Sequence, residues 1–318
     1  MRLIEPTDVK TVAILGAGTI GASWAVHFLS QGMRVNIWDP SQDFQARIEQ
    51  FIAVTWNSLS VLRDLGTLPK SDIIFFSNPL DAVSDADFIQ ESGPENKEKK
   101  LELFRALDSN FRDNVVLASS SSGLLISELQ ANRIGGERYV IGHPFNPPHI
   151  IPLVEVVGGL QTHQFAIDWA LAFYDHCGKK AIKINREVPG HLANRLQAAM
   201  WREAIHLLEQ GVASVEDIDK AVSYGPGLRW ALMGPNLILH LAGGMGGIKH
   251  AIDHLGPSLE KWWSDLSGLE RISSEAKKKL IAGIEVEVAG RSIEDLVEER
   301  DALLELLVKT LNSEKSKG

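Results

Sequence analysis

Short apolar runs alternate with helical stretches along the first 187 residues of the chain. A run such as Val12–Leu15 has no polar alternation, which is typical of a strand buried on both faces of a parallel sheet. Such runs predict strands over residues 12–15, 34–38, 73–77, 87–91, 115–118, 139–142 and 181–184, with a further apolar run over 150–157. Helices are predicted between them over 19–31, 42–65 and 97–108. The alternation indicates an α/β domain.

The pattern becomes helical throughout from about Arg186–Pro189 onward. Proline is tolerated at the first position of a helix, so we expect a helix to begin near Pro189. Residues at helical spacing then predict a long core helix: Ala193, Leu196, Gln197, Met200, Ala204, Leu207 and Leu208. We therefore predict two domains, residues 1–187 and residues 188–318.

Two serines in the helical part resemble helix caps. Ser214 and Ser292 are each followed three residues later by an aspartate, where a capping box has glutamate. The second predicts a final amphipathic helix over 293–311. The polar tail 312–318 is expected to fray.

A glycine-rich turn follows the first predicted strand. It has the pattern G-x-G-x-x-G and comprises Gly16, Ala17, Gly18, Thr19, Ile20 and Gly21. In a dinucleotide site the first glycine permits the tight turn, the second lets the pyrophosphate approach, and the third lets the helix pack on the strand. The helix N-terminus then faces the phosphates with its free N–H groups.

An acidic residue at the end of the second strand specifies the cofactor. Asp39 lies 18 residues beyond Gly21, close to the spacing at which a carboxylate binds the ribose hydroxyls. A carboxylate there repels a 2′-phosphate, so NAD is favoured over NADP. The alternative is a glycine turn in another kind of α/β protein, with Asp39 as a helix cap. The first interpretation predicts an N-terminal Rossmann-type doubly wound sheet followed by an all-helical C-terminal domain.

Three polar groups follow or interrupt the later strands. Ser119–Gly123 follows the strand at 115–118, His143 follows the strand at 139–142, and Glu155 lies inside an apolar run. A buried carboxylate needs a partner, and a carboxylate on one ring nitrogen of histidine raises the basicity of the other. His143 with Glu155 is therefore a candidate base. The alternatives are a plain serine turn and a structural histidine.

Composition excludes several functions. The formal charge of −9 argues against nucleic acid or an acidic membrane surface as a partner. The single cysteine, Cys177, excludes a disulfide framework and a cysteine metal cluster, and we expect no metal site. No secretory signal and no apolar run of about 18 residues is found, so we expect a cytoplasmic protein.

The sequence resembles the 3-hydroxyacyl-CoA dehydrogenase family over essentially its whole length. The resemblance rests on His143-Pro-Phe-Asn-Pro-Pro with Glu155 twelve residues later, and on Val188-Pro-Gly-His-Leu-Ala-Asn194-Arg-Leu. It implies a catalytic His143–Glu155 dyad, with Ser122 and Asn194 bound to the reacting oxygen. It also implies cofactor contacts from Glu95, Lys100 and Asn146, and a homodimer formed by the helical domain.

The branches of this family differ in their substrates. Residues 41–70, which match the lysine-rich CoA-binding stretch of the family, contain only three bases. The segments 201–208 and 225–234 are similar to the carnitine 3-dehydrogenase branch. The resemblance therefore implies NAD-dependent oxidation of a small L-3-hydroxy acid, with L-carnitine as the first expectation. Alternatives are a 3-hydroxyacyl-CoA substrate, L-gulonate, and a non-catalytic crystallin-like NAD-binding protein.

Aromatic residues are the candidates for binding a quaternary ammonium group, which makes cation–π contacts but donates no hydrogen bonds. Trp230 is expected in a loop facing the cleft, with Phe145 and Trp201 as further candidates. Arg229 is a candidate for binding a substrate carboxylate. The alternatives are core or dimer packing for the tryptophans and a surface ion pair for Arg229.

Overall fold

The computed structural model describes residues 3–108 and 110–315. The chain divides into two compact units. The first contains residues 1–194 and 301–310, and the second contains residues 195–300 and 311–318. The predicted boundary at 187/188 lies in the segment just before this division.

The first unit is built on a mostly parallel sheet. Among the described residues the sheet has eight strands in the order β3-β2-β1-β4-β5-β6-β7-β8. They are β1 Thr11–Leu15, β2 Arg34–Trp38, β3 Ile73–Phe76, β4 Phe88–Glu91, β5 Val116–Ser119, β6 Tyr139–Pro144, β7 Leu153–Gly158 and β8 Lys180–Lys183. Only the β6–β7 pair among these is antiparallel. The strand order reverses between β1 and β4, and ligands of doubly wound sheets bind at such a point.

Helices cover both faces of this sheet. They are α1 Thr19–Ser30, α2 Phe44–Arg63, α3 Pro79–Val83, α4 Lys97–Leu107, α5 Ile126–Leu129 and α6 Gln164–His176. One buried cluster includes Trp24 and Phe28 of α1 and Phe173 of α6. A second, containing Phe104 of α4, packs on the other face. Two cores on opposite faces confirm the predicted doubly wound α/β fold.

The second unit is helical, as predicted. The helices are α7 Ala193–Glu209, which begins at the end of the first unit, α8 Val215–Tyr224, α9 Pro226–Leu232, α10 Pro235–Ala242, α11 Gly247–Trp263, α12 Ser274–Val288 and α13 Ile293–Lys315. Residues 301–310 of α13 belong to the first unit. The Ser292 hydroxyl accepts from the Asp295 N–H, and the Asp295 carboxylate accepts from the Ser292 N–H. This reciprocal pair is the predicted capping box.

Three sequence predictions about elements are wrong in detail. The α7 helix forms but is not a core helix, since Leu196 and Met200 are 60% and 40% exposed. Helical spacing identifies an apolar stripe but does not determine what covers it. The α13 helix continues to Lys315, because polar residues can extend a helix, and the rest of the predicted tail lies outside the described residues. His143 lies inside β6 rather than beyond it.

No helix within residues 3–108 and 110–315 is long and apolar enough to cross a membrane.

Candidate active site

The glycine turn joins β1 to α1 at the point where the strand order reverses. Gly16 has a φ of +96°, and a Cβ there would lie 2.6 Å from the Gly93 nitrogen. A Cβ on Gly21 would lie 1.9 Å from the Gly16 carbonyl oxygen. A Cβ on Gly18, in contrast, would meet nothing within 4 Å in the described chain. Gly16 and Gly21 are therefore needed for backbone packing, while Gly18 borders open space that a phosphate can fill.

The N-terminus of α1 faces this open space. Gly18 is the N-cap, and no side chain of the described residues caps the helix there. The first N–H groups of an α-helix have no partner within the helix, and together with the helix dipole they bind anions. The cradle therefore fits a dinucleotide pyrophosphate.

Asp39 follows β2 and fixes the turn. Its carboxylate accepts the Ala17 N–H at 2.7 Å and the Ser41 N–H at 3.0 Å. Burial alone would raise the pKa of Asp39, but the hydrogen bonds from Ser41 and Ala17 lower it below its ordinary value. Because the N-cap of α2 is Asp43, Asp39 does not cap that helix. An ionised Asp39 beside the turn is the arrangement expected for binding ribose hydroxyls.

Lys100 and Glu91 form a buried ion pair next to the turn. The Lys100 Nζ lies 2.6 Å from the Glu91 Oε1, and the two side chains are 2% and 0% exposed. The Glu91 carboxylate also accepts the Gly93 N–H, and Lys100 donates to the Gly93 carbonyl. Because Gly93 packs against Gly16, the Lys100–Glu91 pair helps to fix the backbone of the glycine turn through Gly93. Glu91 was missed by the sequence reasoning, although a carboxylate ending an apolar strand was the available signal.

Glu95 holds the serine turn after β5. Its carboxylate accepts the Ser121 hydroxyl at 2.6 Å and the N–H groups of Gly123 and Leu124. Burial alone would raise the pKa of Glu95, but the Ser121 hydroxyl and the nearby N–H groups and Lys100 lower it. Asn146, the third residue expected to contact the cofactor, is exposed just beyond β6.

A continuous hydrogen-bonded relay joins Ser122, His143 and Glu155. His143 and Glu155 are directly opposite in the antiparallel β6–β7 pair, and the His143 Nδ1 lies 2.9 Å from the Glu155 Oε2. The Ser122 hydroxyl lies 3.0 Å from the His143 Nε2. A carboxylate accepts from Nδ1–H, which leaves Nε2 with a lone pair toward Ser122. His143 therefore has the tautomer required of a general base.

The other oxygen of Glu155 binds the start of α7. Oε1 accepts the N–H groups of Leu192 and Ala193 at 2.8 and 2.9 Å. Burial alone would raise the pKa of Glu155, but the His143 hydrogen bond and these two N–H groups lower it. The half-buried Asn194 is the next residue of the chain and lies in the first turn of α7. Asn194 thus directly follows the two residues that donate to Glu155.

The remaining candidates are distributed over both units. Phe145 is half-buried just beyond β6 in the first unit. Trp230 and Arg229 lie in α9 of the second unit, so the expected loop is wrong: Gly225 and Pro226 start a helix. Trp230 is 43% exposed and Trp201 is 49% exposed, which excludes the core interpretation for both within this chain. Trp201 also lines a pocket of ≈ 190 Å³ within the second unit.

Comparison with known families decides the assignment. Residues 11–188 match the model of the 3-hydroxyacyl-CoA dehydrogenase NAD binding domain, and residues 190–281 match the C-terminal domain of the same family. The chain belongs to the 3-hydroxyacyl-CoA dehydrogenase family. As a member of the family it is an NAD-dependent dehydrogenase, which confirms the predicted cofactor and class of enzyme.

Relatives within this family include several L-carnitine dehydrogenases. The protein of that name from Streptomyces griseus is 47% identical over 298 residues, covering 93% of this chain and 88% of the relative. The one from Nocardiopsis dassonvillei is 44% identical over 306 residues, covering 96% and 93%. The resemblance to the carnitine branch is therefore confirmed.

Two solved structures show the same fold. An NAD+-dependent dismutase, 5-formyl-3-hydroxy-2-methylpyridine 4-carboxylic acid 5-dehydrogenase, has a TM-score of 0.83 at 28% identity and covers 96% of this chain and 99% of its own. The 3-hydroxybutyryl-CoA dehydrogenase of Escherichia coli has a TM-score of 0.66 at 26% identity, covering 87% of this chain and 57% of its own.

Proposed function

We propose that this dehydrogenase oxidises the 3-hydroxyl group of L-carnitine to give 3-dehydrocarnitine. The observation that carries the proposal is the His143–Glu155 contact, which leaves the His143 Nε2 free to accept a proton. The high identity to L-carnitine dehydrogenases supports the choice of substrate.

The proposed roles divide the reaction between a proton and a hydride. His143 takes the hydroxyl proton at Nε2, and Glu155 stabilises the imidazolium that forms. Ser122 and Asn194 hydrogen-bond the reacting oxygen and hold it beside Nε2. NAD, when bound by Gly16–Gly21 and Asp39, supplies the acceptor for the hydride from C3. Asn146 remains a proposed cofactor contact, whereas Glu95 and Lys100 are proposed to act on the cofactor site through the turns that they hold.

The contacts for the two charged ends of L-carnitine are proposed from the chemistry of each end. Aromatic faces attract quaternary ammonium groups, and Trp230 and Trp201 of the second unit are each half-exposed, so each is a proposed contact for the trimethylammonium group. Phe145 of the first unit is a separate candidate on the same ground. Arg229 is the proposed partner of the carboxylate, since its guanidinium can bind both oxygens.

A substrate panel tests the proposal. The purified protein and NAD are given L-carnitine, D-carnitine, L-gulonate, L-3-hydroxybutyrate and the CoA ester of L-3-hydroxybutyrate, and NADH is followed by absorbance. We expect the highest kcat/KM for L-carnitine. Higher kcat/KM for the CoA ester or for L-gulonate would replace L-carnitine by that substrate. No turnover of any compound would favour a non-catalytic NAD-binding protein.

His143→Ala tests the base itself. We expect kcat to fall by roughly 10²–10⁴-fold because the proton acceptor is removed. NAD affinity, measured by protein fluorescence, should stay unchanged, since His143 lies outside the glycine turn. An unchanged kcat would remove His143 from the mechanism.

We also propose a homodimer in the reducing cytoplasm. Large apolar side chains of the second unit are exposed, including Ile252, Trp262 and Trp263 at 61%, 62% and 64%. Such patches are typical of interfaces. Light scattering after size exclusion should give twice the chain mass, and a monomer at micromolar concentration would contradict the dimer.

A further inference from the structure

The segment Gly190–Ala193, which ends at the first residue of α7, contacts each part of the Ser122–His143–Glu155 relay. The Gly190 N–H donates to the Ser122 carbonyl at 3.2 Å. The Leu192 and Ala193 N–H groups donate to the Glu155 carboxylate. The residue between them, His191, is bound through its side chain, with Nε2 2.8 Å from the Ser121 carbonyl oxygen. Four consecutive residues thus hold both ends of the relay.

His191 is held in an unfavourable backbone conformation. Its φ is +48°, in the left-handed region that non-glycine residues rarely adopt. Its side chain is almost fully buried, and its ring lies 4.9 Å from the His143 ring, with an angle of 46° between the planes. A strained residue persists where its surroundings over-determine it, and such residues cluster at functional sites.

The hydrogen bond to Ser121 fixes the protonation of His191. A carbonyl oxygen only accepts, so the His191 Nε2 carries the proton. The Nδ1 of a neutral ring then has no proton, and no partner for it is found among the described residues. Burial lowers the pKa of His191; the Ser121 carbonyl, Glu155 and Glu95 oppose this, while His143 adds to it. A neutral ring next to His143 lets His143 take up a proton without a second positive charge beside it.

We propose that His191 is a positioning residue for the proton transfer. Its Nε2–H fixes the Ser121 carbonyl and hence the Ser122 hydroxyl beside the His143 Nε2. Together with the Leu192 and Ala193 N–H groups on Glu155, this contact keeps Ser122 and Glu155 on opposite nitrogens of one ring. The inference rests on the proposed dehydrogenase mechanism with His143 as base.

Two substitutions separate the donor from the ring. His191→Phe keeps an aromatic ring but removes the N–H, whereas His191→Gln keeps a side-chain N–H at similar reach. We expect His191→Phe to lower kcat by about 10–100-fold, because a displacement of catalytic groups by about 1 Å slows a reaction to this extent. The KM for NAD should change little. His191→Gln should restore most of the lost kcat. His163→Phe, at an exposed histidine of the same unit, is the matched control and should not change kcat.

A spectroscopic measurement makes the test independent of the substrate. The proton shared by the His143 Nδ1 and Glu155 should give a downfield ¹H NMR resonance in the wild type and in His191→Gln, and the resonance should be lost or shifted in His191→Phe. If L-carnitine is not oxidised while the resonance behaves in this way, the proposed substrate fails and the positioning role stands.

The role is overturned if His191→Phe keeps the wild-type kcat and resonance, or if His191→Gln is as impaired as His191→Phe. Should His191→Phe not fold, His191→Gly removes the same donor and adopts the positive φ without strain. We expect the same loss of kcat from it, and a wild-type kcat in that variant would equally contradict the role.

Discussion

Replacing Glu155 by glutamine tests how the relay sets the tautomer of His143. In the wild type, one carboxylate oxygen accepts from His143 and the other accepts from Leu192 and Ala193. A glutamine has only one acceptor oxygen. If that oxygen keeps the two backbone N–H groups, the amide NH₂ faces the His143 Nδ1, and two donors meet.

The conflict is removed if the His143 proton moves from Nδ1 to Nε2. The Nδ1 then accepts from the glutamine, but Nε2, at 3.0 Å from Ser122, no longer has a lone pair for the substrate proton. Loss of a positioned base costs roughly 10²–10⁴ in rate, which corresponds to about 3–5 kcal/mol in the activation barrier. Loss of the negative charge that stabilises the imidazolium acts in the same direction.

The assay is the initial rate of NADH formation at saturating NAD over a range of L-carnitine concentrations. We expect kcat and kcat/KM to fall together in Glu155→Gln, because the lost interaction belongs to the transition state. NADH affinity and the melting temperature should change little, since the backbone hydrogen bonds of Glu155 remain.

Glu187→Gln is the matched control. Glu187 is half-buried and its carboxylate accepts the Ser127 N–H and hydroxyl, so the substitution makes the same chemical change away from His143. It should not change kcat. A Glu155→Gln enzyme with nearly the wild-type kcat, or an equal loss in Glu187→Gln, would refute the tautomer argument.

Three further predictions concern the cofactor, the fold and the substrate. Asp39→Ala should weaken NADH binding by about 10–100-fold but NADPH binding much less, because hydrogen bonds to a charged group are lost while repulsion of a 2′-phosphate is relieved; equal changes in the two fluorescence titrations would contradict this. Burial lowers the pKa of Lys179 to about 7, whereas an unfolded lysine titrates near 10.4. Only the unfolded chain holds that proton between these values, so stability rises with pH there and Lys179→Met should remove about 2–3 kcal/mol of the increase from pH 7 to pH 9. Urea unfolding at both pH values measures it, and an identical pH dependence in the variant would exclude Lys179 as the cause. Trp230→Ala should weaken the binding of L-carnitine by about 1–2 kcal/mol relative to the binding of L-3-hydroxybutyrate. Equal changes in the two KM values would exclude a cation–π contact.

The strands and the cofactor turn could be predicted because they depend on local sequence. A continuous apolar run such as Val12–Leu15 needs burial on both faces, and the spacing of Gly16, Gly18 and Gly21 meets a steric requirement of one short turn. Asp39 follows a strand that must lie beside the first. These features do not depend on how the rest of the chain packs.

Contacts that depend on distant elements could not be predicted, and for the His143–Glu155 pair only the partnership was predictable. The buried carboxylate of Glu155 predicts His143 as its partner, but the antiparallel register that puts the two residues opposite each other is seen only in the structure. Lys100 was expected at the cofactor, and its pairing with Glu91 depends on how α4 packs on the sheet. His191 looked like part of a family motif, and its contacts with Ser121 and His143 required the loop to fold back.

The antiparallel pairing of β6 with β7 has a consequence for how this enzyme can change during evolution. The backbone pairing of β6 with β7 sets the spacing of His143 and Glu155. Insertions or substitutions in the loops therefore do not change that spacing. Ser122, in contrast, stands on a turn held by side chains and can shift when they are replaced. Substrate preference can therefore diverge through the loops and the helical unit while the proton-transfer pair is inherited unchanged.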